Sequence, residues 1–78
     1  MLQQMLRYTR VLSIVGDILT IRATDVGMGD LAVVEGRDGN RSLAQVVEIQ
    51  REDVSLQVFA GSKGLSLQSK VYFLGRSV

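Results

Sequence analysis

Between Val54 and Val58 the chain reads Val-Ser-Leu-Gln-Val, and this unbroken period of two predicts a strand with Val54, Leu56 and Val58 pointing inward. The same alternation recurs elsewhere with less contrast. Arg7 to Val15 alternates weakly, Gly16-Asp17 interrupts it, and Ile18 to Ala23 resumes with Leu19 and Ile21 on one face and Thr20 and Arg22 on the other. Two strands joined by a tight turn follow from that pattern. Leu31 to Glu35 is a short third strand. Gly36 to Arg41 is a hairpin tip, because Gly39 and Asn40 both tolerate positive φ and apolar runs flank them. Ser42 to Gln50 is a fourth strand with Leu43, Val47 and Ile49 at odd positions. Ala44 and Val46 blur its alternation and imply partial cover on both faces. Arg51-Glu52-Asp53 turns the chain into the fifth strand, and Val71 to Leu74 forms the sixth before Gly75.

Between the fifth and sixth strands, Ala60 to Ser69 has a loop composition of Gly and Ser with Leu65 and Leu67 as apolar anchors, and admits one short helical turn. Met1 to Leu6 fits either a frayed helix or an extended lead-in, so residues 1–7 are set apart as an N-terminal extension and 8–78 as a single domain. Six short strands without a helical crossover predict an all-β fold, a small closed six-stranded antiparallel β-barrel. Closure removes the two edges and the uncovered apolar face that an open sheet would leave. The expected core is Leu19, Ile21, Val47, Ile49, Leu56, Val58 and Phe73, and the expected structural turns centre on Gly16, Gly39, Asn40, Gly61, Gly64 and Gly75.

Composition narrows the chemistry. The 78 residues are 46% hydrophobic and hold one small core, hence one domain. With no Cys and no His, the chain has no disulfide, thiol nucleophile, imidazole base or usual zinc site. A net charge of +1 provides no strong field for nucleic acid or anionic lipid. No apolar run approaches the ~20 residues of a membrane span, and Met1 to Leu6 lacks the charged start and long apolar stretch of a signal peptide. A cytoplasmic, soluble chain without direct membrane contact is expected, in which Asn40-Arg41-Ser42, though it fits the glycosylation pattern, never meets the transferase.

Several fragments imitate functional motifs. Gly61-Ser62-Lys63-Gly64 suggests a phosphate cradle, yet its lysine precedes the second glycine, whereas the nucleotide loop places Lys and Ser or Thr after it at the start of a helix. Gly27-Met28-Gly29-Asp30 resembles part of a dinucleotide fingerprint but leads into a strand, so no helix dipole faces a phosphate there. Glu48, Glu52 and Asp53 offer carboxylates, but on a strand and in a turn beside Arg51, which favours solvated surface over an acid-base pair. Small barrels also bind single-stranded nucleic acid through stacking platforms and clustered cations. Here the aromatics are Tyr8, Phe59, Tyr72 and Phe73, at least one of the last two must face inward, and Arg37 and Arg41 straddle Asp38. No catalytic residue, metal site, cofactor or nucleic-acid partner is therefore expected.

The run from Val54 to Gly75 resembles a segment near the amino terminus of the non-catalytic B-type polypeptide of V-type and archaeal-type rotary ATPases. It carries that family's Gln-Val-Phe as Gln57-Val58-Phe59, its Gly-x-x-Gly-Leu as Gly61 to Leu65, and its Val-x-Phe-Leu-Gly as Val71 to Gly75. Upstream, Val15-Gly16, Gly29-Asp30-Leu31 and Ala44-Gln45-Val46 match further family features, so that the resemblance covers nearly everything from Tyr8. The catalytic A-type polypeptide, the F-type relatives and the type III secretion and flagellar ATPases share the barrel with looser wording. Asp17 and Ser77 stand where the family usually has proline.

The resemblance implies a barrel in a crown, packed side by side with the barrels of adjacent A-type and B-type ATPase polypeptides in a hexameric head, in the cytoplasmic peripheral sector of an ion-translocating complex. Family members are several times longer, and what binds nucleotide lies beyond the barrel, so no nucleotide-contacting residue carries over. The isolated chain is expected either to self-associate weakly or to stay monomeric for want of its partner.

Overall fold

The computed structural model describes residues 8–75, which form six strands: β1 (Tyr8–Val15), β2 (Ile18–Arg22), β3 (Leu31–Glu35), β4 (Arg41–Gln50), β5 (Asp53–Val58) and β6 (Lys70–Gly75). They close into an antiparallel barrel in the order β1-β2-β5-β4-β3-β6 and back to β1. The 1–7 extension and Ser77 lie outside the described residues. Valine and isoleucine dominate the strands because their branched side chains suit a pleated surface with one buried face. Among the described residues the β1–β6 seam is the shortest ladder, with Tyr8, Thr9 and Arg10 opposite Tyr72, Val71 and Lys70.

Inside lie Val11, Leu19, Ile21, Ala32, Val34, Ala44, Val46, Val54, Leu56, Val58, Val71 and Phe73, with Ile14, Ala23, Val26, Ile49 and Leu65 packed against them. Leu19, Ile21, Leu56, Val58 and Phe73 are thus where the pattern puts them. Val47 is not: it is exposed on the outside, while Ala44 and Val46 are buried. The reason is a bulge. Val46 pairs with Leu56 and Glu48 with Ser55, so Val47 is an extra residue that shifts the inward phase of β4 from even to odd positions. Ile49, opposite Val54 beyond the bulge, returns to the inner side but is only half-buried. Similar irregularities in β1 between Val11 and Ser13, and in β6 opposite Leu31 and Ala32, leave Leu12 and Leu74 exposed.

Antiparallel order places the β1–β2, β3–β4 and β5–β6 connections at one end of the barrel, and the β2–β3 and β4–β5 connections at the other. At the first end, the 59–69 loop crosses over its neighbours. Phe59 N–H donates to Leu43 O at 3.0 Å, Val58 N–H to Asp17 O at 3.0 Å, and the Ser62 hydroxyl to Gly16 O at 2.7 Å. In place of a helical turn this loop has three tight turns, closed by Gly61 N–H to Val58 O at 3.0 Å, Leu65 N–H to Ser62 O at 3.0 Å and Ser69 N–H to Ser66 O at 2.9 Å. Leu65 packs inward and Leu67 is exposed. At the second end, Gly29 N–H donates to Val46 O and Val46 N–H to Asp30 O, both at 2.9 Å, which ties the 23–30 loop to β4 just before its bulge.

Candidate interaction surface

The outward residues of β3, β4 and β6 fall into rows set by register. Leu43 stands opposite Val33 and Val33 opposite Tyr72, while Phe59, bonded through its N–H to Leu43 O, extends the row past the end of β5. This apolar and aromatic row crosses four neighbouring strand positions, each about 4.8 Å from the next. Phe59 and Leu43 are 54% and 43% exposed, although a solvent-facing barrel wall would ordinarily carry polar side chains there. One pleat toward the 23–30 loop lie Leu31, opposite Gln45, and the exposed Leu74. One pleat the other way, Glu35 is flanked by Arg41 on β4 and Lys70 on β6. The Tyr72 hydroxyl donates to Glu35 Oε1 at 3.1 Å, a diagonal contact that holds the phenol along the wall.

The opposite wall is different. Ser13 faces Thr20, Thr20 faces Ser55 and Ser55 faces Glu48, a polar row across β1, β2, β5 and β4. Below it Arg22 stands opposite Asp53, at 3.8 Å between charged atoms, on side chains more than half exposed. Such a pair contributes little stability but marks a solvated surface.

Of the fragments that imitate functional motifs, Gly61 to Gly64 lies at one end of the barrel and the others lie toward the opposite end. Gly61 and Gly64 both have positive φ, 86° and 87°, and their loop continues into turns and then β6, not into a helix. Gly27 and Asp30 close a turn on each other: Asp30 N–H donates to Gly27 O at 3.1 Å and Gly27 N–H to the Asp30 carboxylate at 2.8 Å. Glu48 is on the outer wall of β4, Glu52 in the β4–β5 turn and Asp53 beside Arg22, all exposed. Among the described residues, no group of three or more His, Cys, Asp or Glu is placed to hold a metal ion, and no helix is long and apolar enough to cross a membrane.

Of the turn positions, Gly16 and Gly39 have φ of 61° and 87°, whereas Asn40 is outside the left-handed region and its side-chain amide donates to the Asp38 carboxylate at 2.8 Å. Gly75 is the last residue of β6, opposite Leu31, instead of a turn. Sequence reasoning singled out none of Leu31, Val33 or Leu43 as surface. The available signal was Leu43 itself, an apolar residue in a strand whose other face also carries apolar residues.

Comparison with known proteins gives a consistent result. Residues 11–75 match the family model described as the ATP synthase alpha/beta family, beta-barrel domain. The chain is similar to the V-type ATP synthase beta chain of Borreliella burgdorferi strain ZS7, with 41% identity over 71 residues, 91% of this chain and 16% of that relative. The corresponding figures for the same protein of Chlamydia muridarum are 44% over 69 residues, 88% of this chain and 16% of the relative. For Chlamydia abortus they are 42% over 71 residues, 91% and 16%. The chain therefore spans about a sixth of the length of the curated relatives it matches.

Proposed function

This chain belongs to the ATP synthase alpha/beta family, matching its β-barrel domain, and from that membership we propose that it is an assembly module: the barrel of a V-type, non-catalytic B-type polypeptide that packs side by side with neighbouring A-type and B-type barrels in a hexameric head. The observation that carries the reading is the Phe59–Leu43–Val33–Tyr72 row, an apolar outer wall on a barrel whose core is already filled from within. Contiguous exposed apolar surface of this kind suits protein contact, where the removal of about 25 cal/mol per Å² supports association. The β1–β2–β5 wall instead carries the polar Ser13–Thr20–Ser55 row, although Leu12 and Val15 of β1 are also exposed.

In this reading the barrel performs no chemistry and binds no nucleotide; both belong to the longer protein beyond it, in the peripheral sector on the cytoplasmic side. A single barrel-to-barrel contact falls below the ~1,200 Å² typical of stable complexes, so it depends on the rest of the ring to persist. The test is a light-scattering titration of the chain with the isolated barrel of an A-type polypeptide. Association at submillimolar concentration is expected, and none at millimolar concentration overturns the assembly role. Calorimetric titration with ATP and magnesium is expected to give no binding heat. A micromolar dissociation constant there overturns the division of labour.

A further inference from the structure

Asp38 is the one aspartate of the chain followed by glycine: Ile18, Val26, Leu31 and Val54 follow Asp17, Asp25, Asp30 and Asp53. Asp38 and Gly39 are both exposed at the tip between β3 and β4, away from the core. We propose that their peptide link is a covalent modification site, at which Asp38 isomerises to isoaspartate without an enzyme, and that Asn40 is the residue that restrains it. Nothing in this depends on the assembly reading.

The chemistry needs only water. The Gly39 backbone nitrogen attacks Asp38 Cγ and gives up its proton, and the carboxyl loses one oxygen as water, which closes a five-membered succinimide. Water then adds to one of the two ring carbonyls and breaks the bond from that carbon to nitrogen. Opening at the side-chain carbonyl restores aspartate. Opening at the main-chain carbonyl leaves isoaspartate, in which the chain runs through Cγ and the former main-chain carbonyl is a free carboxylate. Glycine makes the link reactive, because a following side chain crowds the attacking nitrogen, a branched one most of all, and narrows the backbone angles open to it. The other four aspartates are therefore controls within the same chain.

The folded tip restrains the reaction. Gly39 N–H donates to Gly36 O at 3.0 Å, which closes the turn over Arg37 and Asp38 and engages the proton that the nitrogen must lose. The Asp38 carboxylate accepts the Asn40 N–H on Oδ1 at 3.0 Å and the Asn40 side-chain amide on Oδ2 at 2.8 Å. Both oxygens are thus held as acceptors by one residue, although one of them has to leave as water. Ring closure requires the tip to open. The two Asn40 bonds lie at exposed residues, so opening is local and leaves the six strands paired. The product adds a carbon atom to the main chain within residues 36–40, which join β3 to β4. Gly36 is packed so closely that a Cβ there would come within 2.9 Å of Gly64 O, so a longer tip disturbs the 59–69 loop as well.

The test is prolonged incubation of the 78-residue chain at neutral pH, folded and in urea side by side, followed by an endoproteinase that cuts before aspartate but not before isoaspartate. Cleavage before Asp38 should fade with time, while the mass of the chain and cleavage before the other four aspartates stay constant. The folded chain should convert several-fold more slowly than the chain in urea. Asn40→Ala should speed the folded chain by about two- to ten-fold, the range set by losing one side-chain hydrogen bond, and leave the rate in urea unchanged. Asp38→Asn, which loses ammonia in place of water, should convert faster still and show the gain in mass that turns an amide into an acid. A folded chain that keeps full cleavage before Asp38 after several times the period in which the urea sample loses it, or an equal loss at another aspartate, overturns the site. An Asn40→Ala chain that converts no faster than the parent overturns the restraint.

Discussion

Ala32 on β3 stands directly opposite Phe73 on β6, with Ala44 on its other side across β4, and all three are buried inside the barrel. Two methyl side chains in a row make the space that the single core phenylalanine occupies. Small barrels fill their taper by such small-against-large pairing. Ala32→Leu should therefore destabilise by about 1–3 kcal/mol through overpacking, and Phe73→Ala by about 3–5 kcal/mol through the cavity it leaves. The double variant should cost clearly less than the sum, because each change supplies what the other lacks. Urea unfolding of the four proteins measures the coupling, and strict additivity would show that the two side chains do not share one space.

Arg51 predicts the opposite sign. It is the first of two residues between Gln50 and Asp53 and has φ of 60°, as Gly16 has 61° at the equivalent place between Val15 and Ile18. Positive φ at the first central position alone is the II′ hairpin pattern, which glycine adopts without cost and a residue with a Cβ does not. Arg51→Gly should stabilise by about 1 kcal/mol, less some entropy regained by the unfolded chain. In a domain this small that corresponds to a rise in melting temperature of about 4–8 °C per kcal/mol, read by thermal unfolding. Gly16→Ala should shift it downward.

A third expectation concerns Gly36, whose φ needs no glycine but whose surroundings do. A Cβ there would come within 2.9 Å of the Gly64 carbonyl oxygen, and that atom belongs to backbone, so it cannot rotate away. Gly36→Ala should push the 59–69 loop off the β3–β4 tip and cost about 1–3 kcal/mol. Gly39→Ala, in open space, carries only the backbone strain of its φ of 87°. Chemical denaturation compares the two, and faster amide exchange at Leu65 and Ser69 in the Gly36 variant alone would locate the disturbance in the loop.

The positions of the six strands were legible because glycine and charged turns separate the apolar runs, and β5 was legible in full because its alternation is never interrupted. What alternation could not reveal was a change of phase within one strand. Val46 and Val47 are identical side chains in adjacent places, and only pairing with β5 decides which is inside. Alanine burial at positions 32 and 44 was equally silent, since a methyl group suits either face. The candidate surface was less legible still. Val33 meets Tyr72 because β6 closes against β3 across half the chain, a neighbour relation that no local pattern records.

The bulge at Val47 supplies the fourth prediction. Val46 is buried and Val47 39% exposed, so Val46→Ala should cost about 2 kcal/mol for lost burial while Val47→Ala stays within about 0.5 kcal/mol. Deleting Val47 altogether removes the bulge itself. Val46, Glu48 and Ile49 would then follow one another as in, out and in, the facings they already have, with Glu48 still opposite Ser55 and Ile49 opposite Val54. What is lost is the local bend and twist that the extra residue gives β4, next to the bonds between Val46 and the 23–30 loop. The deletion should therefore cost more than Val47→Ala, about 1–3 kcal/mol by urea unfolding, and leave the chain folded. A deletion variant that fails to fold would show that closure of the barrel needs the bend of β4 and not only the facing of its side chains.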